Sequence, residues 1–271
     1  MSRTIGPQTA RLLDGLYDRA GTAFTLADVQ TITGLPSELA TGLVNKAIRR
    51  GVFSRLKGGL YTIVPPELAE SSGYSGNPLL TARHLASGAP GFISHAAAME
   101  VHRMVTQPQL VVHFSSPKRI RSRVIGGTEF RFVLIKPAHM FGTMRHWATK
   151  QEFVEISDLE RTILDGLRQP EYCGGVTEVA KGLWMRRDGI SIPKLLEYCL
   201  RLDIGAVARR LGYLLELYEL GTGQELDSFR ATIGAAYVPL DPTLPREGRH
   251  HSRWRIQSNI APEELLAVRG S

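Results

Sequence analysis

A chain of 271 residues with 43% hydrophobic and 22% charged side chains can bury one large core or two smaller ones, which excludes a disordered or fibrous polypeptide. No apolar run approaches the length of a membrane helix, the opening Met1-Ser2-Arg3-Thr4 lacks a signal-peptide stretch, and the isolated Cys173 and Cys199 make neither a disulfide framework nor a zinc site. A cytoplasmic protein with reduced, space-filling thiols is expected, and its net charge of +7 is uneven: +4 over residues 1–64, +6 over 65–150, −5 over 151–241 and +2 over 242–271.

From Pro7 to Tyr17, Ala10, Leu13, Leu16 and Tyr17 recur at helical spacing. Thr25 stands at the N-cap of a second helix, with Asp28 three residues on completing a capping box and Gly34 ending it. Pro36 and Ser37 open a third helix that runs to Gly51, a natural C-cap. Val52–Leu56 and Leu60–Val64 flank Lys57-Gly58-Gly59 and read as a hairpin. Three helices followed by a hairpin is the order of a winged helix-turn-helix. Residues 1–70 are therefore expected to form that domain, 71–78 a linker of Ser, Gly, Asn and Pro, and 79–271 an α-rich second domain with a small sheet. The fold class is α+β.

Within the second domain, helices are expected at Leu79–Ala86 and Ser94–Met104. Strands follow at Leu110–Ser115, Phe130–Ile135 and Phe153–Ile156, and then helices at about 158–168, 176–186, 191–201 and 204–220. Beyond Pro239 the chain is rich in Pro, Arg and His and cannot be placed.

On a helical wheel, the third helix gathers Ala40, Leu43, Val44 and Ala47 on one side, flanked by Leu39 and Ile48. The opposite side carries Glu38, Thr41, Gly42, Asn45 and Arg49, edged by Lys46 and Arg50. Small residues let a helix sink into the major groove, Thr and Asn bond base edges, and Arg or Lys reach guanine or phosphate. Thr41, Asn45 and Arg49 are expected to read bases of double-stranded DNA. Lys46 and Arg50, with Arg55 and Lys57 on the hairpin, are expected to hold the backbone. The competing reading is a protein-interaction module with a solvated helix face.

The stretch Gly42–Tyr61, GLVNKAIRRGVFSRLKGGLY, resembles the N-terminal winged helix of the AbiEi-type antitoxins of bacterial toxin–antitoxin operons. Phe92–Met99 (FISHAAAM) resembles that family's G-x-I-S-H-x-S-A helix start, and Ile135–Gly142 (IKPAHMFG) its K-P-x-H-x-F-G element. Ile156–Asp165 (ISDLERTILD), followed by Pro170 and Gly174-Gly175, is similar to its V-S-D-P-E-R-T-L-x-D segment. The match covers most of residues 1–220, and the tail after Pro239 departs from it. The resemblance implies a protein that represses its own operon at promoter repeats. It also implies one that counteracts, directly or indirectly, a nucleotidyltransferase-like toxin of the AbiEii type.

No catalytic residue, metal or cofactor is expected, and no Walker loop, G-x-S-x-G, G-x-G-x-x-G or H-E-x-x-H is present. Asp158 and Asp165, seven apart on a helix, would be the acidic pair of a metal-dependent nuclease or nucleotidyltransferase. Ser157 with Glu160 reads instead as a capping box, Asp158 as a dipole partner and Arg161 as an ion-pair partner. His95, just after Ser94, reads as a capping or packing residue, because no acidic ligand accompanies it and His102. Lys118, Arg119, Arg121 and Arg123 leave three readings open: a solubilising hairpin tip, a second DNA phosphate contact, or a dock for an acidic toxin. No heptad seam decides between a monomer and a dimer.

Overall fold

The computed structural model describes residues 5–19, 21–68 and 73–270. Its elements in chain order are α1 (Pro7–Tyr17), β1 (Ala23–Thr25), α2 (Leu26–Thr33), α3 (Ser37–Arg49), β2 (Phe53–Lys57) and β3 (Leu60–Ile63). Next come α4 (Pro78–Leu85), β4 (Phe92–Ser94), α5 (His95–Val101), β5 (Val111–Ser116), β6 (Arg123–Ile125), β7 (Thr128–Leu134), β8 (Thr143–Trp147) and β9 (Phe153–Ser157). Then follow α6 (Leu159–Arg168), α7 (Val176–Met185), α8 (Ile192–Leu202), α9 (Gly205–Leu217) and α10 (Gly223–Arg230). Last are β10 (Val238–Pro239), β11 (Arg249–His251), β12 (Ile256–Ser258) and α11 (Pro262–Leu266). The fold is mixed α+β, with strands in three sheets ordered β1-β3-β2, β6-β7-β5-β4-β9-β8 and β10-β12-β11. Among the described residues, no helix is long and apolar enough to cross a membrane.

Packing divides the chain into two compact units. One comprises residues up to Gly91 with Leu110–Val133 and Arg145–Glu155; the other comprises Phe92–Gln109, Leu134–Met144 and everything from Ile156 on. This division does not follow the sequence break read at 71–78, since α4 and β5–β7 fall in the same unit as the N-terminal helices. Residues 71 and 72 of that segment lie outside the described residues, as do 1–4, 20, 69 and 70 of the first predicted domain. Asn77, at the end of the segment, N-caps α4 by accepting from the amides of Leu79 and Leu80.

In the first unit, Leu12 and Leu16 of α1, Val29 of α2, and Ala40, Val44 and Ala47 of α3 pack with Phe24, Phe53 and Tyr61 of the sheet. The helix ends follow local chemistry. Thr25 and Asp28 close a reciprocal capping box on α2, and Gly34 ends that helix in the left-handed conformation. The β2–β3 hairpin turns through Gly58-Gly59; Gly59 has φ +72, a value that favours glycine. β1 was not legible in the sequence: its three residues pair antiparallel to β3, Ala23 opposite Thr62, and complete a three-stranded sheet.

In the second unit, α6 to α9 build a core around Ile163, Leu164, Leu167, Val179, Leu183, Leu211 and Leu214. The tail after Pro239 belongs to it. Trp254 is fully buried with Leu240, Ile256, Ile260 and Leu265 in the same cluster. Asp241 accepts from the amide of Val176 at 2.7 Å and so caps α7, whose own N-cap residue is a glycine without a side chain.

Candidate nucleic-acid interface

Helix α3 buries Ala40, Val44 and Ala47 and leaves the other side to solvent. Glu38, Gly42, Lys46, Arg49 and Arg50 are exposed, while Thr41 and Asn45 are half-buried. Leu39 departs from the wheel reading, which put it beside the apolar flank. It is 59% exposed and lies at the N-terminal end of the outward strip. The reason is geometric: the neighbours α1, α2 and β2 need only a narrow apolar stripe from α3, and position 39 falls outside it. Within the described residues, no carboxylate lies within salt-bridge distance of Lys46 or Arg49.

The hairpin residues are arranged by two local contacts. Arg55 donates from Nη2 to Asn45 Oδ1 at 2.6 Å, and its guanidinium lies 5.8 Å from the centre of the Tyr61 ring. Tyr61 is its cross-strand partner in the β2–β3 register, so the pairing of the strands sets the position of the guanidinium. This contact joins α3 to the hairpin across ten residues of sequence.

Lys57 is engaged elsewhere. Its ammonium donates to the carbonyls of Leu85 (3.1 Å) and His84 (3.4 Å) at the end of α4, and to the Ser87 hydroxyl. The end of a helix presents carbonyls without partners and the negative end of its dipole, which a lysine satisfies well. Burial, together with the nearby Arg123 charge, holds the Lys57 ammonium below its usual pKa. Lys57, expected at the sequence level to grip DNA backbone, thus ties the hairpin to α4 in this structure.

The influence of Arg123 on Lys57 also locates the basic segment. Lys118, Arg119, Arg121 and Arg123 are all exposed, and Arg123 opens β6, which forms a hairpin with β7 through Gly126-Gly127. The strand β6 was missed from sequence because its three residues carry too little alternation to show. Four cations therefore lie on the unit that carries α3, and the charge of one, Arg123, is felt by Lys57 at the turn end of the β2–β3 hairpin.

The acidic residues of 157–165 have structural partners. Asp158, rather than Ser157, is the N-cap of α6: its Oδ1 accepts from the Arg161 amide, and its Oδ2 from the Tyr198 hydroxyl and the Lys194 ammonium. Ser157 shares a hydrogen bond with Thr162, and Glu160 accepts from the Ser191 amide and pairs with Lys194. The capping box read for Ser157 and Glu160 does not form, because the helix starts one residue later. Asp165 is buried against Arg161 at 2.9 Å, and burial pushes its carboxyl above the ordinary range. Asp158 and Asp165 are therefore each engaged within the fold, Asp158 as the cap of α6 and Asp165 on the buried Arg161 guanidinium. His95 is buried, bonded to Ser94 and edge-on to Tyr172, while His102 bonds the Ser157 carbonyl. No group of three or more His, Cys, Asp or Glu among the described residues is placed to hold a metal ion.

No protein-family model matches this chain, and no curated protein matches it either. A solved structure does. The crystal structure of RV2827C protein from Mycobacterium tuberculosis superposes with a TM-score of 0.74, covering 100% of this chain and 97% of that chain at 16% sequence identity. The likeness is one of fold. It extends over both compact units and the tail, so the α+β architecture is not peculiar to this sequence.

Proposed function

We propose that the protein is a cytoplasmic DNA-binding repressor whose N-terminal helices and hairpin act as a winged helix-turn-helix. One observation carries the reading: the outward strip of α3 is open, ends in Lys46, Arg49 and Arg50, and adjoins Arg55 on the hairpin. A helix of this kind enters a major groove ~12 Å wide, and the cations at its end reach phosphate. Thr41, Asn45 and Arg49 face base edges; Lys46, Arg50 and Arg55 flank them. Lys57 orients the wing by its hold on α4.

The DNA is the promoter of the protein's own operon, and the protein counteracts, directly or indirectly, a nucleotidyltransferase-like toxin. This part of the reading rests on the resemblance of residues 1–220 to the AbiEi-type antitoxins. No catalytic step is assigned, which the capping, ion-pair and packing engagements of Asp158, Glu160 and Asp165 support.

Gel shifts on the DNA upstream of its own gene, in competition with unrelated duplex, test the repressor reading. Sequence-selective retardation is expected, and equal displacement by both competitors would reduce the protein to an interaction module. A salt titration then assigns the basic segment, since neutralising one phosphate-bound cation flattens the slope of log K against log salt by about 0.9. The exposure of Arg119, Arg121 and Arg123 on the unit that carries α3 favours a second DNA contact, so the triple variant Arg119→Ala/Arg121→Ala/Arg123→Ala should flatten that slope. An unchanged slope with failed toxin neutralisation would assign the segment to toxin docking.

A further inference from the structure

Arginine carries five N–H donors and no acceptor. The Asn45 atom that faces Arg55 Nη2 at 2.6 Å must therefore be the carbonyl oxygen, so the orientation of the amide is fixed by chemistry. This matters for what Asn45 can read. Asparagine recognises adenine by two bonds at once, Oδ1 accepting from N6–H and Nδ2 donating to N7. With one lone pair of Oδ1 taken by Arg55 and a guanidinium packed beside it, the approach of an adenine N6–H to Oδ1 is disfavoured, while both Nδ2 donors stay available.

The surroundings have the same character. The remaining N–H groups of Arg55 are donors, as are those of Lys46 and Arg49, which are exposed on the same strip. Thr41 donates its hydroxyl hydrogen to the Ser37 carbonyl at 2.8 Å, so it meets a ligand through its methyl group and lone pairs. A cluster of donors matches a base edge made of acceptors. Guanine offers N7 and O6; adenine places an N6–H donor where guanine has O6.

We propose that Asn45 and Arg55 act as one unit that selects guanine over adenine in the major groove. The proposal rests on the DNA-binding reading above and adds to it the identity of one base. The pair is built into the fold, because Arg55 lies against Tyr61 through strand register and the hairpin is moored to α4 by Lys57.

The test is selection of bound duplexes from a randomised pool by the full chain, repeated with Asn45→Ala, Arg55→Ala and Arg55→Met. Thermal melts confirm that each variant folds, and both side chains lie at the surface or near it. The wild-type pool should enrich guanine at a position that Asn45→Ala and Arg55→Ala both relax. Arg55→Met frees Oδ1 and should move that same position toward adenine. Replacing the selected guanine by 7-deazaguanine, which lacks the N7 acceptor, should weaken binding on the order of tenfold. Adenine at the wild-type position, or an Arg55→Met variant that keeps guanine, would overturn the paired reading and leave DNA binding intact. A pool from which no sequence is enriched would overturn both.

Discussion

At the scale of residues, the second unit is organised around charges that never meet water. Arg161 is fully buried: Nε donates to Asp165, and Nη1 donates to the carbonyls of His139 (2.9 Å) and Phe141 (3.0 Å). The ring of Phe141 lies 4.6 Å from the guanidinium carbon and that of Phe92 5.3 Å. One side chain thus fixes the 139–141 turn against α6 and ties the segment IKPAHMFG to ISDLERTILD. Burial also lowers the pKa of four histidines, His84, His95, His102 and His139, with that of His95 down to about 3. For His95 the Arg161 and Arg168 charges add to burial. A histidine depressed in the folded state stabilises the fold above its unfolded value of 6.5, and that contribution disappears as pH falls below it. Asp165, raised by burial, acts in the opposite sense as pH climbs above 3.8. Urea unfolding at pH 7.5 and pH 5 should therefore show lower stability at pH 5, and His95→Gln should reduce the difference. A variant with the wild-type pH slope would show that His95 is not the group responsible.

At the scale of elements, the N-terminal unit combines strong local signals with tertiary support. The Thr25–Asp28 capping box is complete, with Thr25 N donating to Asp28 at 2.7 Å. Substituting Thr25→Ala should lower stability by about 1 kcal/mol, read as a shifted urea midpoint at constant m-value. A shift too small to measure would mean that packing alone positions α2. Helix α3 has no side-chain cap, its N-cap position being Pro36, and depends on the contacts of Ala40, Val44 and Ala47. The helices were legible from Thr25, Gly34, Pro36 and the apolar spacing, because caps and periodicity are local. Strands β1, β6 and β8 were not, since short edge strands acquire their hydrogen bonds from partners remote in sequence.

At the scale of the whole molecule, the tail that sequence could not place is part of a folded unit. Trp254 packs on Gly212 of α9 so closely that a β-carbon there would overlap its ring, and its indole N–H donates to Glu216. Tyr218 reaches the Leu265 carbonyl at 3.0 Å, and Arg269 the Leu217 carbonyl at 2.9 Å. Trp254→Ala should cost about 3–5 kcal/mol, measured by chemical denaturation. A cost under about 1 kcal/mol would show that the tail is an appendage rather than a core layer. The division into units also cuts across chain order, because segments 110–133 and 145–155 return to the unit of the N-terminal helices.

Composition, charge distribution, caps and helical periodicity determined that this chain is an α+β protein with a cationic first half and a polar helix face over 38–50. Those features depend on neighbours within a few residues, where backbone geometry acts directly. Contacts over greater separations were decided only by the tertiary structure: Arg55 on Asn45, Lys57 on the end of α4, Asp241 on α7 and Trp254 on Gly212. Each depends on where the fold delivers a side chain, and spacing along the sequence carries no record of that.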